Sequence, residues 1–347
     1  MTLDKKITLI FDYDLTLTED WQQVPYLKEN FKAIRKEYDG KKVKHPKTGE
    51  EITLSIKEPG DYFQLSDLWA TPHNGVGYVM QMIYDAKKGI IKNFNEKTLK
   101  NAGSKVQLSP GLPRFFKELR KEWNGKCELN YFIVSVGLVS LIEGSSIVKS
   151  GEIREVFATP LFDIENFWQG KKQDSFNAMA DVVSPFNKTA YAIEIAKGGR
   201  KNLDKLLKHR DYSCDYRNIL CFGDGSSDIS QFAYLRRKGA WIAGVYKHDS
   251  VEAYDRIRTN KLIQDRAHAI LPRDYRKDSD LWTYTNQTID ARLKRRCGFD
   301  PELVDMYRKK KIRNLEAKSL VKNHIAKCSY CSNLMDIKFV QPDNKED

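Results

Sequence analysis

The sequence has no apolar run near the roughly 20 residues needed to cross a bilayer. Its first apolar stretch, behind Lys5 and Lys6, is cut short by Asp12 and Asp14. Neither a membrane span nor a secretory leader is expected. Cysteine is scarce: six in 347 residues, at positions 127, 214, 221, 297, 328 and 331. So thin a scatter makes no disulfide framework and predicts reduced thiols in a cytoplasmic protein. Acid is in deficit, with 47 Asp and Glu against 59 Lys and Arg, a net charge of +12. That excess favours anionic partners, phosphorylated metabolites and nucleic acid alike. Hydrophobic residues, at 41%, suffice for a proper core. The length suits one large domain carrying an insertion or a tail.

Residues 7–11, Ile-Thr-Leu-Ile-Phe, read as a buried parallel strand that ends at Asp12. In open α/β sheets ligands bind at such carboxyl ends. Residues 17–106 read differently. Leu27, Phe31, Ile34 and Tyr38 follow helical spacing, a polar stretch with Gly and Pro spans 40–60, and 78–84 looks like a helix buried on most sides. No strand–helix alternation is clear there, so a mostly helical insertion is expected. Alternation resumes near 108. Ser109-Pro110 offers a capping hydroxyl and a first-turn proline for a helix with Leu112, Phe115, Phe116, Leu119 and Trp123 on its apolar face. Strands follow at 131–134 and 156–158, a helix opens at Lys188, and further strands stand at 219–222 and 241–245. This βαβα order predicts a parallel sheet with helices on both faces.

Four elements carry chemistry. Phe11-Asp12-Tyr13-Asp14-Leu15-Thr16 places two carboxylates just past a strand. Like charges so close repel unless a cation sits between them, and a hard ion such as Mg²⁺ fits. Gly223-Asp224-Gly225-Ser226-Ser227-Asp228 follows another apolar strand and offers a second wall for the same metal. Phe132-Ile133-Val134-Ser135-Val136-Gly137 sets a hydroxyl at a strand end, where the start of a helix would add N–H donors for a phosphate. Lys188, first in its helix, can neutralise a transferring phosphoryl group.

In this order the four elements resemble the haloacid-dehalogenase (HAD) superfamily, and Gly-Asp-Gly-x-x-Asp looks most like its phosphoserine-phosphatase-like branch. The resemblance implies a Rossmann-like α/β core over 1–16 and 107–295, a mostly helical cap over 17–106 inserted after the first motif, and a basic extension over 296–347. It implies a Mg²⁺-dependent phosphatase acting through an aspartyl phosphate. Asp12 would be the nucleophile and Asp14 the general acid and base. Asp12, the Asp14 main-chain carbonyl and Asp224 would hold the metal. Thr16, Ser135, Gly137 and Lys188 would hold phosphoryl oxygens, and Asp228 would orient water or Lys188. Dehalogenases lack the second acid, so Asp14 points to phosphate chemistry.

Asp224 lies 36 positions after Lys188, farther than in compact relatives, which leaves Lys197 and Lys201 as alternative lysines. His324, Cys328 and Cys331 stand at helical spacing and invite Zn²⁺, although free thiols are the plainer reading. Between 286 and 327 there are 12 Lys and Arg against 5 Asp and Glu, and 306–320 reads as a basic amphipathic helix. The expected substrate is a small phosphorylated metabolite. A nucleic-acid end, or a phospho-ligand bound without turnover, is the lesser expectation.

Overall fold

The computed structural model describes residues 6–70, 75–172, 174–208, 211–293, 307–308, 310, 312, 315–326 and 338–339. In chain order the strands are β1 (Lys6–Phe11), β2 (Lys42–Lys44), β3 (Glu51–Thr53), β4 (Glu128–Leu138), β5 (Ile153–Thr159), β6 (Leu161–Phe162), β7 (Ala178–Met179), β8 (Ile219–Gly223), β9 (Trp241–Tyr246), β10 (Ala269–Pro272) and β11 (Lys338–Phe339). Seven of them form one sheet in the order β11-β10-β9-β8-β1-β4-β5. Every pairing in it is parallel. The Rossmann-like α/β core expected from the sequence is the observed one.

The order decides where chemistry can occur. From β1 the chain builds outward on one side through β4 and β5, then returns to β1's other edge with β8. The connections leaving β4 and β8 diverge, opening a crevice at the carboxyl end of β1. β1 is buried on both faces, as its unbroken apolar run requires. Ile7, Leu9 and Phe11 pack with Phe115, Phe116, Tyr275 and Trp282. Ile10 faces the other way, toward Phe132, Val134, Tyr191, Ile195 and Phe232.

The stretch after the first motif has its own core. The helix Val24–Tyr38 starts with proline in its first turn and buries Tyr26, Leu27, Ile34 and Tyr38. These meet Leu65, Val79, Met82, Phe94 and Leu99, and the cluster continues onto Leu138, Leu141, Leu161 and Phe176. The β6–β7 hairpin therefore packs with the insertion, although it lies far from it in sequence. At the centre Asp85 accepts from the hydroxyls of Tyr38 and Tyr62 and from Gln81. These three donors satisfy a carboxylate that burial would otherwise penalise.

Several expectations are corrected. The helix at 78–84 extends over Gly77–Lys87 and is two-sided, because Met80 and Tyr84 are exposed. Ser109-Pro110 does not open a helix, which begins instead at Arg114. The turn is used for packing: Pro110 O accepts from Tyr275 N, and a side chain on Gly111 would collide with the Tyr275 backbone at 2.3 Å. No single helix spans 306–320, since Lys310 sits in a turn with φ 55° and the helix is Leu315–Ile325. Of the suggested zinc ligands, Cys328 and Cys331 lie outside the described residues, as does the side chain of His324.

Candidate active site

Asp12 follows β1 and is buried, and its N–H donates to Phe222 O at 2.9 Å, which ties the end of β1 to β8. The chain then turns sharply, with Leu15 in the left-handed region at φ 55°. Such a conformation in a branched residue costs energy and persists only where its surroundings impose it. Here Leu15 N donates to Thr18 Oγ1 at 3.1 Å. Buried Arg273, just past β10, donates to Leu15 O at 2.7 Å and to Glu19 O at 3.0 Å. Arg273 clamps the loop from 258 residues away along the chain, so no local pattern announces it.

Lys188 opens the helix Lys188–Lys197 and is fully buried. Its Nζ lies 2.8 Å from Asp12 Oδ1, 2.8 Å from Asp228 Oδ1 and 3.2 Å from Ser227 Oγ. Burial opposes its charge, and the two carboxylates outweigh burial, so it titrates above an ordinary lysine. The alternatives fall away: Lys197 spends its ammonium on Leu203 O and Lys205 O, and Lys201 is exposed. Of the two partners expected for Asp228, water or Lys188, the structure sets it against Lys188. Its other oxygen accepts from Gly225 N at 3.4 Å, and a Cβ on Gly223 would lie 2.3 Å from it. Gly223 is needed to let that carboxylate approach.

Asp14 is held by Gln22, a residue that the sequence did not single out. Gln22 N donates to Asp14 Oδ1 at 2.7 Å, and Gln22 Nε2 donates to Oδ2 at 2.8 Å. Gln22 Oε1 accepts from Leu138 N at 3.0 Å. The fully buried Gln22 therefore bridges the first motif to the end of β4. β4 does not stop at Ser135; it runs to Leu138, with its pairing to β5 broken between Val134 and Leu138. The extra residues bulge out of the ladder and present Ser135 to the crevice. Gly137 N donates to Ser135 Oγ at 3.1 Å. A Cβ on Gly137 would come within 1.6 Å of Gln22 Nε2, so glycine is required for Gln22's approach. The expected helix N-terminus behind Ser135 is not there: that helix starts at Val139, and the preceding N–H, that of Leu138, is already taken by Gln22.

Asp12, Asp14, Ser135, Gly137, Asp224 and Ser227 share the wall of one cavity of about 730 Å³. Thr16 is placed apart: it is fully buried and absent from that wall, and its carbonyl accepts from Tyr275 OH. Lys188 and Asp228 support the wall from behind. Carboxylate oxygens of Asp12, Asp224 and Asp228 lie within 4.8 Å of one another. Asp224 is pushed up to about 8, by loss of solvent first and then by the charges of Asp12 and Asp228. Asp228 is raised too, by burial and by Asp12, against the pull of Lys188. Asp14 is pushed up to about 7 by burial, with Gln22 opposing the rise and Asp12 adding to it. Lys188 brings a single positive charge to four crowded acids, and the donor set is all oxygen. These residues fit a hard divalent cation.

Neither a family model nor a curated protein matches the sequence. Solved structures do. A phosphoserine phosphatase in its apo form is similar over 79% of this chain and 97% of its own, at 13% identity and a TM-score of 0.46. A HAD family hydrolase from Salmonella enterica serovar Typhi is similar over 78% of this chain and 68% of its own, at 12% identity and a TM-score of 0.47. The cytosolic 5′-nucleotidase IIIB bound to cytidine is similar over 84% and 86%, at 14% identity and a TM-score of 0.41. The expected likeness to HAD structures is met as a likeness. At such identities it says nothing of activity, and the functional reading rests on the geometry of the site.

Proposed function

We propose that this protein is a Mg²⁺-dependent phosphatase of the HAD type, acting on a small phosphorylated molecule. The observation that carries the reading is the arrangement at the sheet's switch point. Asp12 and Asp228 share the buried Lys188 at 2.8 Å each, while Asp14 is held separately by Gln22 on the cavity wall. Two carboxylates in different environments suit two roles, one nucleophilic and one acid–base.

Asp12 attacks phosphorus, forming the Asp12–phosphorus bond as the ester oxygen leaves with the proton of Asp14. Asp14, now ionised, takes a proton from water as that water displaces Asp12. Lys188, 2.8 Å from Asp12 Oδ1, holds that carboxylate in place and balances charge on the phosphoryl oxygens. Ser135 Oγ stands on the same wall and can donate to those oxygens, while Gly137, expected to bind them as well, spends its N–H on Ser135 Oγ and so positions that hydroxyl instead. Asp12, Asp224 and the Asp14 carbonyl would hold Mg²⁺, which supplies positive charge for the oxygens of the transferring group. Residues 17–106 act as a cap, since Trp21, His45, Phe63 and Tyr78 from this stretch line the same cavity. Enclosure favours a small substrate over a duplex end and keeps water from competing. Cys127, Cys214 and Cys221 are buried and free, which suits the cytoplasm. No described helix is long and apolar enough to cross a membrane.

Asp12→Asn keeps the shape and removes the nucleophile. Turnover of a phosphate monoester with Mg²⁺ should fall by at least about a thousandfold, with circular dichroism unchanged. Activity near wild type in that variant refutes the assignment. Comparing a small ester with a 3′- or 5′-phosphorylated oligonucleotide, at low and moderate salt, separates the two substrate classes. The small ester should win at both. A strong oligonucleotide preference that salt abolishes would make the basic tail a nucleic-acid handle.

A further inference from the structure

The wall of the cavity facing the acids is aromatic. Trp21 and Phe63 have ring centroids 4.5 Å apart at 54°, and Phe63 meets Tyr78 edge-on at 5.6 Å. All three line the cavity that also holds Asp12 and Asp14. These rings do not bury one another, for Trp21 remains 38% exposed although tryptophan gains from burial. An indole left open beside a catalytic crevice is a surface on which a flat ring can stack.

The β2–β3 hairpin adds polar groups. His45 and Lys47, from its turn, line the same space. His45 Nδ1 accepts from Lys47 N at 3.3 Å and from Thr48 N at 3.1 Å. A nitrogen that accepts carries no proton, so in the neutral ring Nε2 bears the hydrogen and is a donor. Asp67, also on the wall, is an acceptor. Charge narrows the choice further. Among the described lining residues there are four aspartates, one lysine and no arginine. A second phosphate or a carboxylate on the leaving group would find little to neutralise it. A neutral, planar, hydrogen-bonding ring would meet aromatic faces, a donor and an acceptor.

We propose that the leaving alcohol carries an uncharged heteroaromatic ring that stacks on Trp21, as in a nucleoside 5′-monophosphate. This deepens the phosphatase reading and rests on it. The cavity, at about 730 Å³, lies within the usual range for a ligand of that size.

The test compares kcat/KM for adenosine and cytidine 5′-monophosphates with that for ribose 5-phosphate, which lacks the ring, using the full chain with Mg²⁺. Wild type should prefer the nucleotides by on the order of tenfold or more, the size expected for one stacked base. Trp21→Leu should reduce that preference to within about threefold, and Trp21→Phe should restore part of it. Equal use of the three esters by wild type, or an equal loss on all three in Trp21→Leu, overturns the stacking site while the phosphatase stands. Failure to hydrolyse any of them, or 4-nitrophenyl phosphate, overturns the phosphatase reading itself.

Discussion

Replacing Gly137 by alanine tests how Asp14, the proposed acid–base carboxylate, is held. The added methyl would lie 1.6 Å from Gln22 Nε2, 2.4 Å from Cδ and 2.8 Å from Oε1, so that methyl and the native Gln22 rotamer cannot coexist. Gln22 must swing away, breaking its 2.8 Å bond to Asp14 Oδ2 and its 3.0 Å bond from Leu138 N. A hydrogen bond to a charged group contributes about 1.5–3 kcal/mol, or about 10- to 150-fold if all of it is felt in the transition state. Gly137→Ala and Gln22→Ala should each lower kcat/KM on an alkyl phosphate by about 10- to 100-fold. An aryl ester such as 4-nitrophenyl phosphate, whose leaving group needs little protonation, should lose less. The double variant decides the matter. With Gln22 truncated, the methyl added at Gly137 has room, so the second substitution should cost almost nothing and the cycle should show a coupling of at least about 1.5 kcal/mol. Additive losses, or equal losses on both esters, would show that Gln22 does not hold Asp14.

The other predictions concern charge. Lys188→Met leaves Asp12 and Asp228 buried without a cation, so in chelator it should lose about 3–5 kcal/mol in urea unfolding. Adding Asp228→Asn should recover part of that loss, and an unchanged midpoint in Lys188→Met would contradict the shared ion pair. Asp14, raised to about 7, must be protonated to act as the acid, so kcat/KM for an alkyl phosphate should fall as pH rises through about 7, with the aryl ester flatter. Identical profiles for the two esters would remove Asp14 from that role. Asp224 is raised to about 8 from an ordinary value near 3.8. In chelator, therefore, the folded state binds more protons than the unfolded across that interval, and stability should decline as pH climbs from about 4 to about 8. Added Mg²⁺ binds the ionised form, so it should raise Tm more at pH 8 than at pH 6, and an equal shift at both would argue against Asp224 as a ligand.

What was legible in the sequence was local. The apolar runs of β1 and β8 stop at acids, and the opening of a helix at Lys188 is written in neighbouring residues, so Asp12, Asp14, Asp224 and Lys188 could be named before any fold was known. Gly137 was found as part of a motif, but for a different reason from the one its packing against Gln22 supplies. Ser109-Pro110 misled because a capping pair also serves a turn, and packing against Tyr275 chose the turn.

By itself the sequence determined the parallel α/β core and the presence of carboxylates at strand ends, because apolar period and strand termination depend on residues a few positions apart. Only tertiary structure decided which distant groups complete the site. Gln22 reaches Leu138 across 116 residues, Arg273 reaches Leu15 across 258, and Trp21, Phe63 and the hairpin turn at His45 meet above the acids. These partners are selected by shape and by the need to pair buried polar groups, and neither leaves a spacing in the chain.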